Sequence, residues 1–263
     1  MTQRPVLVCV LGPSGRMGRA VIDAALGRTD VQIYSVVDRP EAMVAGAQVA
    51  GVTVGSDIAA GVTDADVYID FTSPAGTRAV AEIAVSAHRA AVIGTTGLGS
   101  AEQAAIDRLA RVAPVVVSAN FSLGVNVMLG LVRQAARALG PDWDAEVVET
   151  HHRAKRDAPS GTALMIARAI ADGHGVSYDD VKCHARDGDV GPRPHGQIGV
   201  SAVRGGDVVG EHMVTLFGAG ERIEIGHRAT SRSIFAVGAL HAAAWVVGKP
   251  PGRYTMLDVL GLG

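Results

Sequence analysis

A short apolar run that leads into a glycine-rich turn lies almost at the start of the chain and constrains the fold more than any other feature. The run Val6–Leu11 predicts a buried strand, and the turn Gly12-Pro13-Ser14-Gly15-Arg16-Met17-Gly18 leads into a predicted helix, Gly15–Leu26. Such a turn exposes the N–H groups at the positive end of a helix, where a dinucleotide pyrophosphate binds. The glycines alone are equally compatible with an ordinary strand-to-helix turn.

The first 120 residues continue this alternation of Val/Ile runs with Ala-rich stretches. Predicted strands are Val6–Leu11, Gln32–Asp38, Val67–Phe71, Ala91–Gly94 and Val115–Ser118, and predicted helices are Gly15–Leu26, Pro74–Ala87 and Ala101–Arg111. Strands that alternate with helices of this length predict βαβ units and a parallel sheet. The fold class is therefore α/β, and it begins with a Rossmann-type parallel sheet domain.

The pattern changes after Asn120 and predicts a second domain of α+β character with a mixed or antiparallel sheet. The predicted elements are a helix over Leu123–Leu139, a strand over Asp144–His151, a helix after Pro159, a long loop over His174–His195, an antiparallel meander from Ile198 to His227 and a helix over Ser233–Val247. We expect a dinucleotide-binding domain over residues 1–122, completed by residues 232–263. Residues 123–231 would then form a domain for substrate binding and oligomerisation.

Composition excludes several classes of protein. Hydrophobic residues make up 48% of the 263, which excludes a disordered chain. A formal net charge of −2 gives no overall attraction to nucleic acid or to an anionic membrane, and no apolar stretch reaches the length of a membrane span. The only cysteines are Cys9 and Cys183, which favours a reducing compartment, and we expect the cytoplasm.

Asp38 and Arg39, at the end of the second predicted strand, indicate how a cofactor would be selected. A carboxylate about 20 residues beyond the glycine turn is placed to bind the ribose hydroxyls of NAD. A guanidinium beside it is placed to pair with the 2′-phosphate of NADP. The pair is also compatible with an ordinary solvated loop, but together with the glycine turn it predicts the use of both NADH and NADPH.

Two further strand ends are predicted to reach the same edge of the sheet. Gly94-Thr95-Thr96-Gly97 follows one strand, and Ser118-Ala119-Asn120-Phe121 follows the next. Ligands of open α/β sheets bind beyond the carboxyl ends of the strands, where small hydroxyl and amide side chains suit a nicotinamide and its ribose. Each segment by itself could equally be a tight turn.

The run His151–Arg156 concentrates positive charge in a chain that is otherwise nearly neutral. Every residue in it except Ala154 is cationic or can become so. Lys155 and a neighbouring His could bind a carboxylate and deliver a proton. Ser160-Gly161-Thr162 then opens a predicted helix, whose first N–H groups could hold a carboxylate.

Plainer interpretations of this region remain open. Basic runs are usually solvated surfaces, and Ser160 would also serve as a simple N-cap. His151 and His152 could be zinc ligands, but consecutive strand residues point to opposite sides and no further ligands lie at a recognisable spacing. We therefore predict no metal site.

Several of these motifs together resemble the dihydrodipicolinate reductase family. The matching segments are Gly12–Gly18, Gly94–Gly97, Ala119–Ser122, His151–Lys155, Asp157–Leu164, Val209-Gly210-Glu211-His212 and Thr230-Ser231-Arg232. The resemblance runs nearly from end to end, and the His-His…Lys…Ser-Gly-Thr segment is highly specific to the family.

The resemblance implies a role for each matching residue. His151 is similar to the catalytic acid/base and Lys155 to the proton donor, whereas His152, Ser160, Gly161 and Thr162 resemble substrate-binding residues. The implied cofactor contacts are Gly12, Pro13, Ser14, Gly15, Arg16, Met17, Asp38, Arg39, Gly94, Thr95, Thr96, Ser118, Ala119, Asn120 and Phe121. Pro13 departs from the family pattern, which has a small residue with a free N–H there.

The implied activity is the NAD(P)H-dependent reduction of 4-hydroxy-tetrahydrodipicolinate, a small dicarboxylate, in lysine and diaminopimelate biosynthesis. Members of the family are typically homotetramers assembled through the sheets of their second domains. Two alternatives are another small-substrate dehydrogenase, such as an amino-acid dehydrogenase, and a nicotinamide-sensing regulator without turnover. A sensor needs no Lys/His pair beside a helix N-terminus, so this pair favours an enzyme.

Overall fold

The computed structural model describes residues 4–41 and 47–263. Residues within the described ranges form two compact units. One unit holds the chain up to Leu123 together with Ser233–Gly261, and the other holds Gly124–Arg232. None of the helices in these ranges combines the length and the hydropathy that a membrane span requires.

The first unit begins with alternating strands and helices. Its elements are β1 Val6–Leu11, α1 Arg16–Ala25, β2 Val31–Val37, β3 Gln48–Val49, β4 Val52–Gly55, α2 Ile58–Thr63, β5 Val67–Asp70, α3 Pro74–Ala87, β6 Ala90–Ile93, α4 Ser100–Ala110 and β7 Pro114–Val117. Each of the predicted strands and helices here is present, with ends that differ by at most one residue. Pro74 opens α3 behind the N-cap Ser73, as a residue without an N–H can.

The second unit follows and begins with a long helix. Its elements are α5 Leu123–Leu139, β8 Asp144–His151, α6 Gly161–His174, α7 Tyr178–Val181, β9 Lys182–Cys183, β10 Ile198–Arg204, β11 Gly210–Phe217 and β12 Arg222–Ala229. The chain then returns to the first unit through α8 Ser233–Val246, β13 Gly252–Tyr254 and α9 Met256–Val259.

The first unit is a sheet in the order β13-β7-β6-β5-β1-β2-β4-β3, parallel except where β3 meets β4. Alternate residues of β1 enter two separate cores because successive strand side chains point to opposite faces. Val8 and Val10 pack with the core that includes α1 and α8, whereas Cys9 and Leu11 pack with the core that includes α3 and α4. Helices on both faces and a parallel sheet confirm the Rossmann-type prediction.

The second unit is a mixed sheet in the order β12-β11-β8-β10-β9. Helix α6 packs against β8 and β10 and buries Ile166 and Ile170 completely. The opposite face of the sheet leaves Val148, Val203 and Phe217 exposed. A mixed sheet was the predicted class.

The predicted antiparallel meander from Ile198 to His227 is wrong for its first strand. Of the three strands in this segment, only β11 and β12 pair with each other, and they are antiparallel. Strand β10 runs parallel to β8 instead, and β8 lies between β10 and β11. The glycine turn at Gly205 and Gly206 does not close a hairpin, because its backbone bonds instead to the end of β8 and the residues that follow. Gly205 N donates to His151 O, and Arg153 N donates to Gly206 O.

The predicted long loop over His174–His195 is also wrong in part. The segment contains the short helix α7 and the strand β9, which pairs with the start of β10. Neither has the length or the apolar periodicity that single-sequence patterns detect. The remainder, residues 184–197, is irregular.

Candidate active site

The turn after β1 has a geometry that only glycine permits. Gly12 has φ +68°, and Gly15 N donates to Gly12 O at 2.9 Å, which closes a β-turn. A Cβ on Gly18 would lie 2.2 Å from Gly12 O, so helix α1 can approach the turn only with glycine at that position. The N-cap Gly15 offers no side chain to the first N–H groups of α1, which leaves them suited to an anion.

Pro13 occupies the second position of this β-turn, where its fixed φ is favourable and its missing N–H is not needed to close the turn. The residue is buried, whereas Ser14, Gly15 and Arg16 are exposed and Met17 is partly exposed. Compared with a residue that has a free N–H, Pro13 therefore removes one hydrogen-bond donor and makes the turn more rigid.

Asp38 follows β2 and binds the same turn. Its Oδ2 accepts from Ser14 N at 2.9 Å and its Oδ1 accepts from Arg39 N at 2.8 Å. A carboxylate has further lone pairs, so these contacts orient Asp38 without excluding ribose hydroxyls. The side chain of Arg39 is exposed.

Asp70, at the end of β5, orders the same edge of the sheet, and the sequence pattern did not indicate it. It is completely buried, and its carboxylate accepts hydrogen bonds from Thr72 Oγ1 at 2.6 Å, Thr77 Oγ1 at 2.5 Å and Thr95 Oγ1 at 3.3 Å. Asp70 thus orders the segment after β5 and one of the predicted cofactor contacts. Its only sequence signal was an acidic residue that ends an apolar run.

The segments after β6 and β7 differ in what they leave exposed. Thr96 and Ala119 are exposed, whereas Asn120 is buried and accepts from Ser122 N through Oδ1 at 2.8 Å. Ser118 Oγ donates to Asn120 O at 2.7 Å. Phe121 is 1% exposed and stacks edge-on against Phe71, so any cofactor contact at this position would use its backbone.

These segments follow β1, β2, β5, β6 and β7, which are neighbours in one parallel sheet. Their carboxyl ends therefore lie along one edge, which we call the nucleotide edge. Gly94 is required there because a Cβ would lie 2.0 Å from Phe71 Cε1. Glycine backbones, exposed N–H groups and a carboxylate after β2 fit a dinucleotide.

The basic segment His151–Arg156 starts at the end of β8 in the second unit. His151 is buried, and its Nδ1 lies 2.6 Å from Glu149 Oε2. Lys155 Nζ donates to Asp157 at 2.9 Å. Arg232 Nη2 lies 3.4 Å from His152 Nε2, which places a further guanidinium near the segment.

Helix α6 begins beside these residues with Ser160 as its N-cap. Ser160 Oγ accepts from Ala163 N at 3.1 Å, which confirms the simple capping interpretation. A Cβ on Gly161 would meet nothing within 4 Å, so space is open next to the first turn of the helix. The second unit therefore brings together His151, Lys155, the predicted binding residue His152 and the N-terminus of α6.

The pKa values of Glu149 and His151 together determine the charge of this pair. Burial raises the pKa of Glu149, but hydrogen bonds from Arg204, His151 and Ser160 outweigh it and hold this pKa below its ordinary value. Burial lowers the pKa of His151, and Glu149 only partly opposes that effect. Both groups therefore favour a neutral imidazole beside an ionised carboxylate at neutral pH.

His212, on β11, borders the same imidazole. The two rings meet edge-to-face with centroids 5.3 Å apart, and His212 Nε2 lies 3.2 Å from Ser160 Oγ. Burial, with a smaller effect from the nearby His151, lowers the pKa of His212 to about 4. His212 is therefore uncharged at neutral pH.

Family models match both halves of the chain. The model described as the N-terminus of dihydrodipicolinate reductase matches residues 6–121, and the model described as its C-terminus matches residues 124–260. The chain belongs to the dihydrodipicolinate reductase family. The two models meet where the first unit gives way to the second, but the C-terminal model also covers residues 233–260, which pack with the first unit.

Curated relatives agree over the full length. The chain is 46% identical to a 4-hydroxy-tetrahydrodipicolinate reductase of Alkalilimnicola ehrlichii over 97% of this chain and 98% of that protein. It is 48% identical to one of Dinoroseobacter shibae, again over 97% and 98%. A dihydrodipicolinate reductase from Paenisporosarcina, solved with dipicolinate bound, shares the fold with a TM-score of 0.81 at 22% identity over 97% of this chain and 98% of that one.

Glu149, Arg204, Gly210 and His212 are the residues around His151 to which sequence reasoning assigned no role. Gly210 and His212 lie in a segment that resembles the family, Val209-Gly210-Glu211-His212, whereas Glu149 stands two residues before the matching segment His151–Lys155. Their contact with His151 depends on the pairing of β8 with β10 and β11, which the predicted meander had placed differently.

Proposed function

We propose that this chain catalyses the reduction of 4-hydroxy-tetrahydrodipicolinate to tetrahydrodipicolinate in lysine and diaminopimelate biosynthesis. The observation that carries the proposal is the second unit's cluster of His151, Lys155 and the N-terminus of α6, found in a chain that matches the family over both halves. The overall change consumes the substrate, one reduced nicotinamide and one proton. It yields tetrahydrodipicolinate, the oxidised nicotinamide and water.

The substrate site proposed is the surface around the basic segment. Gly161 and Thr162 would hold one carboxylate at the first turn of α6, where helix N–H groups and open space coincide. His152, with Arg232 close by, would hold the other. The ligand of the Paenisporosarcina protein, dipicolinate, is itself a planar dicarboxylate, which supports this substrate class.

Ser160 has a separate part in this proposal. Its hydroxyl caps α6 and its backbone N–H donates to Glu149, so the residue stabilises the start of the helix and its link to the carboxylate beside His151. The residue is only 2% exposed, so it offers little surface for a direct contact with the substrate. We therefore assign Ser160 to the formation of the site.

The proton chemistry falls to two side chains. When bound, a reduced nicotinamide supplies a hydride from its C4. After water is lost and the conjugated ring accepts the hydride, an enamine-like carbon or nitrogen requires a proton. Lys155 Nζ would donate it, and His151, through its Nε2, would serve as acid/base nearby.

The cofactor proposed is either NADH or NADPH, bound along the nucleotide edge. The predicted contacts on the glycine turn, Asp38, Arg39 and the segments after β6 and β7 would form this site. Asp38 is oriented by the turn and disfavours a 2′-phosphate, whereas the exposed Arg39 favours it. These opposed effects support dual use.

A homotetramer in the cytoplasm completes the proposal. The apolar side chains Val148, Val203 and Phe217, each 41–48% exposed on the sheet face opposite α6, support association through the second unit. Neither Cys9 nor Cys183, both within the described ranges, forms a disulfide, which agrees with a reducing compartment.

A coupled assay tests the activity. Pyruvate and aspartate semialdehyde are condensed enzymatically, the purified chain is added, and the absorbance of the reduced nicotinamide is followed. We expect oxidation that requires both precursors, with comparable kcat/KM for NADH and NADPH. A preference above about a thousandfold, or about 4 kcal/mol, would refute dual use.

The same assay separates the alternatives. Turnover of free amino acids without turnover of the condensation product would indicate an amino-acid dehydrogenase. Nucleotide binding without oxidation for any candidate substrate would indicate a sensor. Either result would overturn the proposed reaction.

A further inference from the structure

Glu149 is a completely buried carboxylate two residues before His151 on β8, and both side chains lie on the face of the sheet covered by α6. Its two oxygens divide their contacts. Oε2 lies 2.6 Å from His151 Nδ1, and Oε1 accepts from Ser160 N at 2.9 Å. One side chain therefore links the imidazole to the residue that caps α6.

Arg204 holds this carboxylate from β10. Its Nη1 donates to Oε2 at 2.7 Å and its Nη2 to Oε1 at 2.8 Å, a two-point pairing that fixes the plane of the carboxylate. Nη2 also donates to Asp157 O at 2.7 Å. Through these hydrogen bonds to Asp157 and Ser160, the Glu149–Arg204 pair restrains the connection between the basic segment and α6.

We propose that Glu149 is a positioning residue that selects one tautomer of His151 and aligns this imidazole with the carboxylate-binding first turn of α6. The inference rests on the proposed function for its kinetic consequence. Its structural part concerns only the protein. Because an ionised carboxylate can only accept, Nδ1 must carry the proton and Nε2 is left to exchange protons with a ligand.

The groups that face the imidazole from neighbouring elements support this division of roles. His212 on β11 is a neutral neighbour whose Nε2 lies within hydrogen-bonding distance of Ser160 Oγ, 3.2 Å away. Lys155 and Arg204 carry the nearby positive charges, and their repulsion disfavours the protonated, positively charged form of His151. Glu149 is the only acidic group that contacts the ring within the described ranges.

Gly210, on β11, lies next to Nε2 of His151. A Cβ at this position would lie 3.0 Å from His151 Nε2, tighter than an ordinary contact. Glycine there leaves Nε2 accessible to a small group. Glu149 on one side and Gly210 on the other therefore define the orientation of the ring.

The test combines NMR of ring nitrogens with kinetics on the full chain. Histidines are labelled with ¹⁵N, His151 is assigned by the loss of its signals in His151→Gln, and its tautomer is measured without substrate at neutral pH. We expect Nδ1–H in the wild type. In Glu149→Gln, the amide can keep its oxygen toward Ser160 N and donate its N–H to Nδ1, so we expect the proton to move to Nε2.

The kinetic readout should separate positioning from binding. Glu149→Gln should lower kcat by about a hundredfold, the lower range for losing an acid/base group. KM should change by less than about threefold, because the acceptor for Ser160 N remains. Cofactor binding measured by nucleotide fluorescence should match the wild type. Glu146→Gln is the matched control, since Glu146 pairs with arginines on the opposite face of β8 and should leave kcat unchanged.

The tautomer of His151 and the kcat of Glu149→Gln can each overturn the positioning role. An Nε2–H tautomer in the wild type overturns the proposal even if Glu149→Gln does not fold. An unchanged tautomer or an unchanged kcat in a folded Glu149→Gln also overturns it. If the wild type shows no turnover in the coupled assay, the proposed function fails, while the tautomer of His151 still tests the positioning role.

Discussion

Lys155 forms an ion pair with an exposed partner, and a weak pair of this kind suits the role of proton donor that we propose for it. Asp157 lies two residues away at 2.9 Å, and its side chain is 62% exposed. Exposed ion pairs of this kind contribute at most about 1 kcal/mol. In the proposed function a bound carboxylate could therefore replace Asp157 at little cost, whereas the pair between the buried Glu149 and the partly buried Arg204 would remain in place.

We expect Lys155→Ala to lower kcat in the coupled assay by about a hundredfold or more, the usual loss for a general acid. Lys182→Ala is the control, because Lys182 also forms an exposed ion pair with a neighbouring Asp but lies outside the basic segment. Near-normal turnover in Lys155→Ala, with Lys182→Ala equally active, would contradict the role of Lys155 as proton donor.

At the scale of elements, the junctions between strands and helices carry both sites. The β1–α1 turn exposes helix N–H groups through glycine, and the β8–α6 junction places His151 two hydrogen bonds from the N-cap Ser160. The segment after β10 wraps the end of β8 through main-chain bonds to His151 and Arg153. The basic segment is thus restrained on several sides by backbone as well as by side chains.

We expect Gly18→Ala to weaken nucleotide binding at least about tenfold, or 1.4 kcal/mol, because the new Cβ would lie 2.2 Å from Gly12 O and force the turn away from α1. The strain should also lower thermal stability, since overpacking costs about 1–3 kcal/mol. Fluorescence titration with NADH and a thermal melt measure both effects.

Gly55→Ala provides the comparison within the same unit, since its Cβ would meet its nearest neighbour at an ordinary 3.9 Å. This variant should bind NADH like the wild type. Equal affinities for Gly18→Ala and Gly55→Ala would show that close packing at Gly18 does not shape the nucleotide site.

At the scale of the whole molecule, buried histidines make stability depend on pH. The pKa of His212 is lowered to about 4 in the folded chain, so between pH 6.5 and about 4 the unfolded chain binds a proton that the folded chain does not. Stability from this group is therefore complete above about pH 6.5 and is lost as pH falls toward 4. Lowered pKa values at His151, His174 and His227 act in the same direction.

We expect the contribution of His212 to reach about 3 kcal/mol, because its pKa falls from 6.5 to about 4 on folding. The measurement is the free energy of unfolding by denaturant between pH 4 and pH 7.5 for the wild type and for His212→Gln, which retains a polar side chain without titrating there. As pH falls from 6.5 toward 4, the free energy of unfolding should decrease more for the wild type than for the variant. A constant difference would contradict a strongly lowered pKa at His212.

Local patterns were sufficient to predict much of the first unit and the composition of both candidate sites. The glycines after Val6–Leu11, the strand ends at Asp38, Gly94 and Ser118, and the basic segment are all contiguous in sequence, and each acts largely through its own backbone and charge. Parallel strand ends meet at one edge by topology, so these segments could be placed together before any contact was known.

The sequence by itself therefore determined the family, the α/β class and the residues of the glycine turn and the basic segment. Only the tertiary structure decided that β8 lies between β10 and β11, and hence that Glu149 meets Arg204 and that Gly210 faces His151. The reason is physical: strand periodicity specifies which face a side chain occupies, but packing of distant segments decides which strands become neighbours. Asp70 follows the same rule for one of its partners, because Thr95 reaches it from the segment after β6, whereas Thr72 and Thr77 are close to it in sequence.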